Sequence, residues 1–265
     1  MISSDDEHAH PVGTGPHWEE SWNFDFVTAD GRLAGYARLG LRASPRRAWW
    51  WTAIVGTDLP LVLVRDHDVD PPKAGTFEIR GTGLWAEPVC ETPLDHWGLG
   101  LEAFAVSLDD PAEAYGAERG DPTPLGLDLE WEAAGAPVGL AECRYRVPSR
   151  VHGEVLVGRQ RLTVAGTGAW EHAWGPRDWW APAPEPADRP GLRGPNAVTG
   201  LRGPNAVTGL RGPNAVTGLE PVFHAPVQVP GPDGRVTRVA RTLCRGDGGW
   251  QWVERVTPPG TTSAC

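Results

Sequence analysis

Residues 18–26 alternate with a period of two. Trp18, Glu20, Trp22, Phe24 and Phe26 fall on one face, and Glu19, Ser21, Asn23 and Asp25 fall on the other. That is the pattern of a β-strand with one face toward a core, and it sets a single carboxylate, Glu20, among aromatic rings. Asp30-Gly31 supplies a hairpin turn into a second strand, Leu33 to Leu41. Further strands are predicted over 48–55, which holds Trp49-Trp50-Trp51, and over 61–65, 76–80, 84–90 and 97–108. After a single helical turn at 111–115 and a Pro/Gly-rich passage, strands resume at 127–132 and 141–147. A hairpin over 153–157 and 161–165 follows, and then strands near 222–229, 236–244 and 250–256. No stretch of helical length carries a 3.6-residue apolar stripe. Many short strands between Gly/Pro turns predict an all-β protein built as sandwiches or barrels. Pro148-Ser149 is the expected boundary between an N-terminal β domain, 16–147, and a C-terminal one, 148–265.

Composition changes this picture little. The 265 residues are long enough for a substantial core, and 40% hydrophobic with 22% charged residues is ordinary for a globular chain. A net charge of −10 argues against nucleic acid and anionic membrane surfaces as partners. The acidic start, residues 1–15, has no basic and apolar signal segment and reads as a disordered leader. His8 and His10 lie there beside acidic residues, and an unstructured tail would give them no fixed geometry for a metal. The apolar runs are too short for a transmembrane helix. The four cysteines form no CxxC pair, which fits reduced thiols and a cytoplasmic setting. The segment 191–199 recurs unchanged at 200–208 and 209–217. Identical nine-residue copies rich in turn residues read as a tolerated loop insertion in the second domain.

The chemistry concentrates in Gly168-Ala169-Trp170-Glu171-His172-Ala173-Trp174-Gly175-Pro176-Arg177-Asp178-Trp179-Trp180. Indoles gain by burial, whereas charges cost free energy when buried unless paired. A segment rich in both is either a ligand site or a paired ionic cluster within a core. If extended, it places Trp170, His172 and Trp174 on one face and Glu171 on the other. His172 could then relay a proton or anchor a ligand, or be a core histidine bonded to Glu20 or a backbone carbonyl. Asp178 reads more simply as the ion-pair partner of Arg177, fixing the Trp179-Trp180 turn. Asp95-His96-Trp97-Gly98 echoes the 171–175 motif and fits two related halves. Other sites are set aside. No Gly-x-Ser-x-Gly elbow or Walker loop occurs. The Gly98-x-Gly100 pattern lacks a strand–turn–helix context. Asp66, Asp68 and Asp70 lack the glycine and glutamate of a calcium loop. His96 and His172 have no partners at zinc-ligand spacing, so no metal is expected.

The Trp18–Phe26 strand together with the Trp170–Trp180 segment resembles the two-domain lipocalin-like (calycin) family of carotenoid hydratase (hydroxyneurosporene synthase) and AttH-type proteins. The family's acid-His-x-Trp-Gly signature falls here on Glu171, His172, Trp174 and Gly175. The resemblance implies two calycin barrels side by side around a hydrophobic molecule, with no organic cofactor. The resulting expectation is binding of a lipophilic small molecule such as an isoprenoid or polyketide. Cofactor-free acid/base modification (hydration, cyclisation or isomerisation) could accompany it. Trp18, Trp22, Trp170, Trp174, Trp179 and Trp180 would line the cavity, and Glu20, Glu171, His172 and Asp178 would be the catalytic candidates. A non-catalytic carrier, or a carbohydrate-active protein with paired carboxylates, are the alternatives. The oligomeric state stays open.

Overall fold

The computed structural model describes residues 2–15, 17–181, 219–231 and 234–258. The repeat at 191–217 lies outside them. The described chain is all-β. Its strands are β1 (Trp18–Thr28), β2 (Leu33–Arg42), β3 (Arg47–Gly56), β4 (Leu59–Val69), β5 (Ile79–Gly81), β6 (Leu84–Thr92), β7 (His96–Leu108) and β8 (Asp121–Ala133). They continue as β9 (Val138–Ala141), β10 (Arg144–Val157), β11 (Gln160–Pro176), β12 (Glu220–His224), β13 (Val227–Pro230), β14 (Val236–Gly246) and β15 (Gly249–Thr257).

Every pairing is antiparallel. The order β4-β3-β2-β1-β11-β10-β8-β7 returns to β4 through Leu61↔Leu108, Val62↔Ser107 and Leu63↔Val106, and so closes an eight-stranded barrel. β6 and β5 continue beyond β7, and β9 pairs with β10. A barrel of this size is just wide enough for side chains to fill its interior or to hold one small ligand. Here rings fill it: Trp22, Phe24, Trp50, Trp97, Trp131 and Trp170 are all buried in one cluster.

A second sheet, β12-β14-β13 with β15 on β14, builds a separate core with the outward residues of β2–β4, among them Tyr36, Trp49, Trp51 and Leu63. This explains a contrast that sequence alternation does not show. In β8, Leu125, Leu127, Leu129 and Trp131 are buried while the intervening residues are more open. In β1 the polar positions Glu19, Ser21, Asn23 and Asp25 are buried as well. The first strands are covered on both faces.

The expected boundary at 147/148 falls inside β10, and strands from both sides of it belong to the same barrel. Pro148 sits where the β10 edge exchanges partners, between Arg146↔Val138 and Ser149↔Ala133, so its missing N–H costs no ladder bond there. The expected 153–157 and 161–165 hairpin is the tip of two much longer strands, β10 and β11. β11 lies close against β1: a Cβ at Gly168 would stand 1.9 Å from the Asp25 carbonyl oxygen. The echo of the 171–175 motif is out of phase, since His96 pairs with Glu130 at the surface while Trp97 points into the barrel core.

The start of the chain departs most from expectation. Residues 4–7 form a 3₁₀ turn rather than a loose leader, and Glu7 is fully buried. Its carboxylate accepts from Trp97 Nε1 at 2.5 Å and Trp170 Nε1 at 3.0 Å. Buried indole N–H groups need acceptors, and the leader supplies one. An acidic stretch looks solvated in sequence because its partners lie 90 and 163 positions away.

Candidate functional site

Three residues meet at the end of the barrel occupied by this leader. The β1–β11 register sets Glu20 opposite Trp174, Trp22 opposite His172 and Phe24 opposite Trp170, all facing inward. His172 is 0% exposed and stacks on Trp22, with ring centroids 4.3 Å apart, while the Tyr145 ring meets its edge at 5.7 Å. Its Nδ1 lies 2.6 Å from the main-chain oxygen of Asp6, and its Nε2 lies 3.0 Å from Glu20 Oε1. Glu20, 3% exposed, is also reached by His10, whose main-chain N–H donates to both carboxylate oxygens at 2.9 and 3.0 Å. His10 Nδ1 lies 2.7 Å from Oε1, and its ring stacks on Trp174 at 3.9 Å. Burial, and next the charge of Glu7, push the Tyr145 phenol well above its ordinary pKa, so it stays a neutral donor to the Asp6 carbonyl.

Beside this cluster opens a cleft of about 230 Å³, lined by Val12, Trp18, Leu41 and Pro71, by Arg42, Arg46 and Arg47, and by His10 and Glu20. Among the described residues Glu20 is the sole carboxylate in its wall. Larger depressions of about 670 and 570 Å³ lie elsewhere, around Trp85, Phe104 and Leu156 and around Arg47, Arg65 and Asp66. Neither includes the buried histidine–carboxylate cluster.

The remaining candidates separate from this group. Glu171 faces the other side of β11 and receives a two-pronged hydrogen bond from Arg144, at 2.8 and 3.1 Å. Asp178 accepts from the main-chain N–H groups of Trp180 and Ala181 and lies 3.7 Å from His17. It does not pair with Arg177, which reaches Glu254 at 2.8 Å instead. Trp179 and Trp180 belong to the second core. There Trp179 Nε1 donates to Glu19 at 2.7 Å, and Arg38 and Arg42 complete a buried ionic cluster on the same carboxylate. Burial raises the cost of ionising Glu19, but the Arg38 and Arg177 charges outweigh it and hold its pKa below the ordinary value. The tryptophan-rich segment divides between the two cores. Residues 170–174 serve the barrel mouth, and 177–180 an ionic core. The expected ring-lined hollow around His172 is filled instead: Trp22 and Trp170 are fully buried, and both imidazole nitrogens are engaged.

His10 is the functional candidate that sequence reasoning set aside. Its one local signal is the His10/Asp6 spacing of four. The contact with Glu20 and His172 depends on how the leader folds back. His10, Glu20 and His172 each offer one atom, all within 4.8 Å of one another, and could hold a metal ion.

The fold and the site define a closed antiparallel barrel with a covering sheet and a histidine–carboxylate cluster at its mouth. The chain belongs to the family described as a domain of unknown function, DUF7064, which it matches over residues 3–185. That span takes in the leader and every barrel strand. No curated protein matches the chain. Among solved structures it is similar to a Nitrosomonas europaea protein provisionally described as AttH, at 13% identity and a TM-score of 0.43, covering 98% of this chain and 72% of that one. It is also similar to CghA, at 12% identity and a TM-score of 0.35, over 91% of this chain and 57% of CghA. CghA with Sch210972 gives 12% and 0.36, over 94% and 62% of the two chains. This chain therefore spans less than two thirds of CghA. Among the described residues no helix is long and apolar enough to cross a membrane.

Proposed function

We propose that this protein binds a small lipophilic molecule at the barrel mouth, with the polar group of that molecule turned to Glu20 and His10. The observation that carries this reading is the cleft, whose Val12, Trp18, Leu41 and Pro71 surfaces, flanked by Arg42, Arg46 and Arg47, end on a largely buried acid–imidazole cluster. Apolar walls with a few convergent polar groups are the usual make-up of a ligand site. At about 230 Å³ the cleft lies below the roughly 300–1,000 Å³ of drug-sized pockets, so it suits a short molecule or the end of a longer chain. Glu20 shares hydrogens with two imidazoles, so the cluster is equipped for acid/base modification of such a ligand. Hydrolysis of sugars by paired carboxylates fits less well, because that chemistry needs two acids facing across the cleft and this wall has one.

Farnesol, a neutral isoprenoid alcohol, is a suitable probe, titrated against intrinsic tryptophan fluorescence. Val12 is 66% exposed, so Val12→Arg fills the cleft without touching either core. A saturable change is expected in the native protein, weakened about tenfold or more in Val12→Arg, the equivalent of roughly 1.4 kcal/mol of lost contact. No saturable response, or equal affinity in the variant, rules the reading out.

A further inference from the structure

We propose that His10, Glu20 and His172 form a binding site for a divalent transition metal of the zinc class, with the open position toward the barrel-mouth cleft. The first argument is a hydrogen inventory. The main-chain oxygen of Asp6 can only accept, so the hydrogen of a neutral His172 ring sits on Nδ1, 2.6 Å away. The Nε2 lone pair then points at Glu20 Oε1, 3.0 Å distant, and a carboxylate oxygen also only accepts. Two acceptors this close require a positive centre between them, either a proton or a metal ion. His10 Nδ1 approaches the same oxygen, at 2.7 Å.

The second argument is the surroundings. Metal-binding histidines commonly donate the other ring N–H to a carbonyl or carboxylate, which fixes the tautomer and the ring orientation. Asp6 does this for His172 and stands at ion-pair distance from His10. Its carbonyl holds His172 Nδ1, and its carboxylate lies 3.6 Å from His10 Nε2. Stacking on Trp22 and Trp174 holds the two planes. Two imidazole nitrogens with one carboxylate is a donor set for zinc rather than for magnesium or calcium, which favour all-oxygen shells. Donor atoms around a tetrahedral zinc stand roughly 3.3 Å apart, by the usual bond lengths. The three donors here, all within 4.8 Å of one another, need only a small adjustment to reach that. The cleft beside His10 and Glu20 leaves room for a water or a ligand atom in the remaining position, as in open zinc sites.

The test is metal binding by the full chain after treatment with a chelator. Zinc is titrated calorimetrically, and cobalt(II) is followed by its visible ligand-field absorption. One equivalent is expected to bind, with the intense bands of a tetrahedral nitrogen/oxygen site. Glu20→Gln keeps the shape of the side chain, and His10→Ala removes one imidazole while leaving every barrel strand unchanged in sequence. Each should weaken zinc binding by more than about tenfold, the least that outer-shell changes cost, and should abolish the zinc-induced rise in Tm. No saturable binding, or native affinity in both variants, overturns the proposal and leaves a proton between Glu20 and His172. The inference does not rest on the lipophilic ligand. Farnesol binding lost with zinc binding kept would sink only the former, and the converse result only the latter.

Discussion

The residues that organise this protein are charged groups made tolerable by specific partners. Glu19 shows the principle most fully: buried on the outer face of β1, it is held by Arg38, Arg42 and the Trp179 indole. The Arg38 guanidinium lies 4.6 Å over the Trp51 ring, so it is desolvated along with its partner. Removing one member of such a pair leaves the other charge buried, at a cost of about 3–5 kcal/mol. Arg38→Met, which keeps the volume and loses the charge, should lower Tm by roughly 10 °C in a chain of this size. An unchanged melting curve would mean that Arg42 and Trp179 suffice for Glu19. Period-two alternation puts Glu20 on a face with Trp18 and Trp22, and His172 on a face with Trp170 and Trp174; the β1–β11 pairing makes these one face. A bond from His172 to Glu20 or to a backbone carbonyl is one of the two readings its sequence allows, and the structure has both bonds. That the carbonyl is that of Asp6 and that His10 joins them did not follow, because both come from the leader.

At the scale of elements, β11 is the strand that most of the structure leans on. It completes the barrel between β1 and β10, carries Trp170, His172 and Trp174 inward, and delivers Arg177 and Trp179 to the second core. Its close approach to β1 depends on Gly168. Gly168→Ala should cost about 1–3 kcal/mol by overpacking against the Asp25 carbonyl, read as an earlier thermal or urea midpoint. Retention of native stability would mean that β1 and β11 can separate freely at this position. The strand positions were largely legible, since alternation and turn residues mark them locally. The length of β10 and β11 was not, because Pro148 reads as a boundary and Gly153 as the start of a separate short strand. They are tolerated where β10 changes partner and where its backbone takes φ 132°, respectively.

Across the whole molecule, the barrel and the covering sheet are joined by groups that resist protonation. Burial, and then the Arg65 charge, hold His67 well below its ordinary pKa, and burial lowers His224 to about 4. Glu254 stays partly open to solvent; crowding by its neighbours would raise its pKa, but the Arg177 and Arg241 charges prevail and bring it to about 2. A histidine whose folded pKa is depressed stays neutral in the native state. The unfolded chain therefore takes up the proton first as pH falls below 6.5, and stability declines from there toward about 4. A carboxylate with a depressed pKa stabilises the fold above its unfolded value of 4.5 and loses that contribution as pH falls toward about 2. Both trends have the same sign. Tm should be highest near neutrality and fall steadily in acid, and the His224→Gln variant should show a shallower decline between pH 6.5 and 4. A flat profile over that interval would remove His224 from the account.

The sequence alone determined the all-β class, the shared face of Trp18, Glu20 and Trp22, that of Trp170, His172 and Trp174 once extended, and the pairing of charge with indole. These follow from local periodicity and from the cost of burying unpaired charge, and both can be read along the chain. Tertiary structure alone decided that one closed barrel takes strands from both sides of residue 147, that its interior is filled with rings, and that the acidic leader caps its mouth. Each of these is a contact between residues far apart in sequence, settled by how strands close and which buried donors still need an acceptor. No local pattern carries that information.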